Sequence, residues 1–153
     1  MIIEIQKISE NGSTYEGALP PESLDLEGDK FIRPKGDVRY VLTAEIVSEQ
    51  VIVRGSLETE LDLLCVVCAE FFSTTVRVSS FLRAYAIKPG MERLDLTEDI
   101  REDILLEVPH YPRGETDETE HCRVCGRNLK TNTEARSTES TTEVWDPLNR
   151  LKL

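Results

Sequence analysis

The chain has 153 residues, 39% of them hydrophobic, and its 18 basic against 29 acidic side chains leave a formal net charge of −11. That length suits a single domain, and the modest hydrophobic share predicts segments outside its ordered core. So acidic a chain excludes a general basic face for coating nucleic acid, and the lack of a long apolar run excludes a membrane-spanning helix. The opening MIIEIQKISENG has acidic residues where a secretory signal carries its apolar core, so the expected location is cytoplasmic.

Residues 1–8 alternate apolar and polar side chains and predict a strand, whereas 9–37, with Gly12, Gly17, Pro20, Pro21, Gly28, Pro34 and Gly36, read mostly as loop. From Val38 a period of two sets in. Val38, Tyr40, Leu42, Ala44 and Ile46 share one face of an extended segment, and Val51, Val53, Leu57, Leu61, Leu63 and Cys65 share one face of the next. After Cys65-Val66-Val67-Cys68 the even positions Phe72, Thr74, Val76, Val78, Leu82, Ala84 and Ala86 continue the alternation. The first cysteine pair therefore lies at the turn of a long antiparallel hairpin, with Gly55 marking a bulge or bend.

Asp95 and Glu98 have capping-box spacing, with aspartate in place of Ser or Thr, ahead of Leu96, Ile100, Ile104 and Val108, which recur every four residues. This predicts one helix over about 96–108, stopped by Pro109. Its acidic residues Asp95, Glu98, Asp99, Glu102 and Asp103 read as the cap and solvated face rather than as acid/base pairs. Residues 131–143 (TNTEARSTESTTE) lack an apolar period and are expected to be mobile. Beyond them Trp145, in EVWDPLNRLKL, either docks on the sheet or serves as a partner-binding tail.

All four cysteines fall in two Cys-x-x-Cys pairs, Cys65/Cys68 and Cys122/Cys125. In a reducing compartment such pairs are metal ligands or redox centres rather than structural disulfides. Two pairs close a four-sulfur tetrahedral shell around one Zn²⁺ with no position left for substrate, which means structure and not catalysis. Gly126 follows Cys125 and permits the left-handed turn of a zinc knuckle; the first pair is followed by Ala69. Arg123, Arg127 and Lys130 surround the second pair, either screening the thiolates or forming a local phosphate- or RNA-contact patch. His110 and His121 are left out of the ligand set. A dithiol oxidoreductase would place its pair at a helix N-terminus, and neither pair has that setting.

Taken in order, GSLETELDLLCVVCAEFF, LDLTEDIREDILLEVP, HCRVCGRNLK and DPLNRLKL resemble the YceD family of bacterial and plastid proteins, over about residues 45–153. The resemblance implies a role in accumulation or processing of large-subunit ribosomal RNA, and Cys65, Cys68, Cys122 and Cys125 correspond to the family's zinc ligands. Many members carry further cysteines where this chain has His121 and the polar stretch.

The expected protein is α+β: an antiparallel β-sheet meander with one main helix and a zinc-knuckle C-terminal segment. It is read as a single domain of 1–153, with strands mainly in 38–88, the helix at about 96–108 and the knuckle at 121–130. The expected function is non-enzymatic, a structural-zinc factor for ribosomal RNA accumulation and ribosome assembly. Its expected partners are a pre-ribosomal particle, ribosomal RNA or basic ribosomal proteins, with no membrane and no small-molecule substrate. The competing reading is a thiol redox or metal-handling protein using the same two pairs.

Overall fold

A computed structural model describes residues 1–115, 117–118 and 121–126. The chain divides into two compact units, Met1–Arg113 and a second that begins at Gly114. The first contains strands β1 (Ile2–Glu4), β2 (Ser13–Leu19), β3 (Ile32–Pro34), β4 (Val38–Val47), β5 (Gln50–Leu64), β6 (Phe71–Ala86) and β7 (Arg93–Asp95), then helix α1 (Thr97–Glu107). The architecture is mostly antiparallel sheet, with one α-helix among the described residues.

β5 is the spine of a five-stranded sheet. β6 pairs along its whole length, from Leu64 opposite Phe71 to Gln50 opposite Ala86. The other edge of β5 is shared end to end by β4 and the short β3, and β2 adds outside β4. β4, β5 and β6 thus form the expected meander. β1 and β7 make a separate two-stranded ladder. Alternation on β5 works as its pattern requires: Val51, Val53, Leu57, Leu61 and Leu63 are buried, while Arg54 and Glu60 are exposed.

Several local readings change. Ser13–Leu19, expected as loop, is an edge strand whose side chains are all exposed or only half-buried; with little to bury, its period of two is weak in the sequence. Gly17 leaves room for the Tyr40 side chain of the neighbouring strand: a Cβ there would lie 2.5 Å from the Tyr40 hydroxyl, and the ring would have to shift. The strand expected over residues 1–8 covers only Ile2–Glu4, followed by a 3₁₀ turn at Ile5–Lys7.

The bulge does fall at Gly55, but the extra residue lies on the partner strand. Gly55 faces Phe81 and Leu57 faces Val78, so Ser56 is opposed by both Ser79 and Ser80. The phase of β6 flips there. Val76 and Val78 point inward as expected, but beyond the bulge Phe81 is buried and Leu82 is 59% exposed. Gly55 itself is where β4 comes closest, because a Cβ would lie 2.0 Å from the Val41 carbonyl oxygen.

α1 matches its expected span to within a residue at each end. Leu96, Ile100 and Ile104 are buried against the sheet core. The cap differs from a capping box: the Asp95 carboxylate accepts from the Thr97 amide at 3.0 Å and its hydroxyl at 2.6 Å, while Glu98 lies 3.9 Å from Arg101. The acidic face is not all solvated either. Asp99 and Asp103 converge on Arg83 of β6, and the Tyr85 hydroxyl donates to Asp99 at 2.6 Å. The Asp103 side chain is only 13% exposed, so this ionic group fastens helix to sheet.

Candidate metal centre

Cys65 continues the inward series Leu61, Leu63, and both Cys65 and Cys68 are buried in the loop that joins β5 to β6. Two backbone bonds close the loop. The Cys65 amide donates to the Glu70 carbonyl and the Ala69 amide to the Cys65 carbonyl, each at 2.9 Å. Ala69 reaches that second bond with φ of 58°, a left-handed conformation that costs a residue with a Cβ about 1 kcal/mol. Outside the loop, the Val66 amide donates to Pro112 at 3.0 Å and fixes the segment that follows α1 beside the hairpin tip.

In the second unit the Gly126 amide donates to the Cys122 carbonyl at 2.7 Å, and Gly126 has φ of 71°. Cys122 is buried and Cys125 half-buried. The turn is preceded by a short paired segment, in which the Asp117 amide donates to the His121 carbonyl and the Arg123 amide to the Glu115 carbonyl. The Asp117 carboxylate accepts from the His121 amide at 2.8 Å, and its oxygen lies 3.8 Å from His121 Nδ1.

The two turns are therefore built alike: Cys-x-x-Cys, then a left-handed residue whose amide returns to the first cysteine's carbonyl. In the sequence only the second pair carries the glycine of such a turn. Ala69 takes the glycine conformation regardless, held by the ends of two long strands. Cys65 and Cys68 in the first unit, and Cys122 in the second, are buried cysteines of the kind that could hold a metal ion. Buried sulfurs suit a soft or borderline cation, since a thiolate ligand set selects zinc, copper(I) or iron–sulfur chemistry over hard cations.

Of the three expected phosphate contacts, Arg123 is exposed and paired with Glu115 at 3.2 Å. Arg127 and Lys130 lie outside the described residues, as do the stretch 131–143 and Trp145. His110 is exposed in the segment after α1. An arginine the sequence did not single out stands at the cysteine hairpin: Arg33 of β3 stacks on the Phe71 ring, 3.8 Å from its centroid. Cross-strand neighbours Ile32–Leu63 and Leu63–Phe72 put it there, a register that only the pairing reveals.

Two ionisable groups report on how firmly the frame is held. Burial, and then the hydrogen bond to Asp99, push the Tyr85 phenol well above the ordinary tyrosine value. Hydrogen bonds from the Thr97 hydroxyl and amide hold the Asp95 carboxyl below the usual range. Among the described residues, no helix is long and apolar enough to cross a membrane. Compared with protein-family models, with curated proteins and with solved structures, the chain gives no match.

Proposed function

We propose that the chain is a non-enzymatic, zinc-stabilised binding factor that acts in accumulation of large-subunit ribosomal RNA and ribosome assembly. The observation that carries the zinc reading is the shared construction of the two cysteine turns, which present two sulfurs each from a backbone bend of the same kind. In this reading one structural Zn²⁺ takes Cys65, Cys68, Cys122 and Cys125, and the closed sulfur shell supplies folding energy with no open position for catalysis. A dithiol oxidoreductase is disfavoured at the first pair because it sits in a hairpin loop, without the helix N-terminus that would lower a thiol pKa.

The ribosomal setting is supported by the ordered resemblance of four separated segments to the YceD family. The net charge of −11 further favours basic ribosomal proteins as direct contacts, with any RNA contact local. Crosslinking in intact cells, followed by identification of both bound RNA and bound protein, tests this role. Enrichment of large-subunit ribosomal RNA or of ribosomal proteins is the expected outcome; crosslinks to neither would contradict it.

A further inference from the structure

A cleft of about 500 Å³ opens in the first unit between the loop after Leu24, the C-terminal half of α1 and the segment that follows it. Its lining is apolar at Ile32, Leu63, Leu105 and Val108, and Phe31 stands at its edge, 63% exposed. The loop is braced: the Asp29 carboxylate accepts from the Phe31 and Ile32 amides at 2.7 and 2.9 Å. The cleft is thus a formed feature, and an aromatic ring left in water beside it forfeits burial of roughly 2 kcal/mol.

Its rim is acidic. The Arg101 guanidinium donates to the Leu24 carbonyl at 2.8 Å and lies within 4.0 Å of Asp25 and 3.9 Å of Glu98. Its charge is therefore already answered within the chain. The Asp25 and Glu98 carboxylates remain 85% and 88% exposed, and Glu27 is exposed in the same loop. Phosphate would be repelled by these groups, whereas lysine or arginine would be attracted.

We propose that this cleft seats a basic peptide, with one large apolar side chain packed against Phe31, Ile32 and Leu105 and flanking cations facing Asp25, Glu27 and Glu98. The peptide would be a partner's basic segment, so the assignment rests on the binding role proposed above and names the chemistry of its partner. Apolar anchoring supplies the affinity and the charges supply selectivity and association rate.

The full-length protein, titrated into the fluorescein-labelled synthetic peptide KRKFLKRK and followed by anisotropy, tests this. Replacing the central Phe-Leu by Ser-Ser, or making Phe31→Ala or Asp25→Lys in the protein, is expected to weaken binding about tenfold each. Both residues are exposed, and an unchanged melting temperature checks that each variant folds. Equal affinity for the Ser-Ser peptide, or unchanged affinity in both variants, would overturn the assignment. The two proposals fail separately: ribosomal crosslinks without peptide binding refute only the cleft, and peptide binding without ribosomal crosslinks refutes only the assembly role.

Discussion

At Cys65–Ala69 and at Cys122–Gly126 the same amide-to-carbonyl bond closes a Cys-x-x-Cys turn, at 2.9 and 2.7 Å. The first turn ends a hairpin whose strands run for 15 and 16 residues, and it tolerates alanine in a left-handed position. The second follows a short segment paired through Glu115, Asp117, His121 and Arg123, and it uses glycine. What differs is the source of order. Long-range strand pairing can hold a strained backbone residue in place, whereas a local turn depends on a residue without strain and, on the proposed reading, on metal.

The largest expected effect follows from that difference. Cys122→Ser should abolish zinc retention, because a structural zinc site contributes on the order of 10 kcal/mol and three thiolates replace it poorly. Hydrogen exchange should then show lost protection at residues 121–126 and retained protection in β5 and β6. Equal loss in both regions would mean that the hairpin, too, depends on metal.

Gly55→Ala attacks the opposite side of the comparison, the sheet that carries the first turn. A Cβ 2.0 Å from the Val41 carbonyl oxygen forces β4 and β5 apart, and denaturant unfolding should show a loss of about 3 kcal/mol. Zinc affinity of the folded fraction should fall with it, since the first turn loses its foundation.

Arg83→Met is the milder version, leaving Asp99 and Asp103 without their guanidinium while preserving length; about 2 kcal/mol is expected, reduced from a fully buried pair by partial exposure. Tyr85 provides the pH signature of the same contact. Its phenol holds its proton more tightly in the folded chain, so the contribution is full below the ordinary tyrosine value of about 10 and is lost as pH rises through the higher folded value. In an ultraviolet titration the Tyr85 phenol, identified by comparison with Tyr85→Phe, should resist ionisation at about pH 11 until the chain unfolds. Ionisation of Tyr85 at that pH in the folded protein would contradict its docking on Asp99.

The smallest effect is the most specific. Ala69→Gly should raise stability by about 1 kcal/mol by relieving the left-handed alanine, and Gly126→Ala should destabilise the second turn by a similar amount. Opposite signs for the two changes, read as thermal shifts of the zinc-loaded protein, would show that both turns need the same backbone shape. A loss of stability in Ala69→Gly would refute it.

Much of the sheet was legible because burial writes itself into alternation: Val51 to Leu63 on β5 and Leu96 to Ile104 on α1 are core positions with the expected periods. The misreadings occur where burial is weak or where phase depends on a partner. β2 hides because an exposed edge strand need not alternate, and β6 reverses at Ser79–Ser80 because a bulge is a property of two strands. Asp99 and Asp103 look like solvated helix positions until Arg83, distant in sequence, arrives beside them. For the site, the cysteine spacing was plain, but the left-handed Ala69 carried no glycine to announce it. The Phe31 cleft had no motif at all, being assembled from a loop, a strand and a helix end.

Metal content decides the reading of the two turns most directly. Purified full-length protein is expected to carry one zinc per chain by elemental analysis and native mass spectrometry. All four thiols should be protected from alkylation until a chelator is added. Metal-free protein whose four thiols alkylate at once, with an unchanged melting temperature, would contradict it.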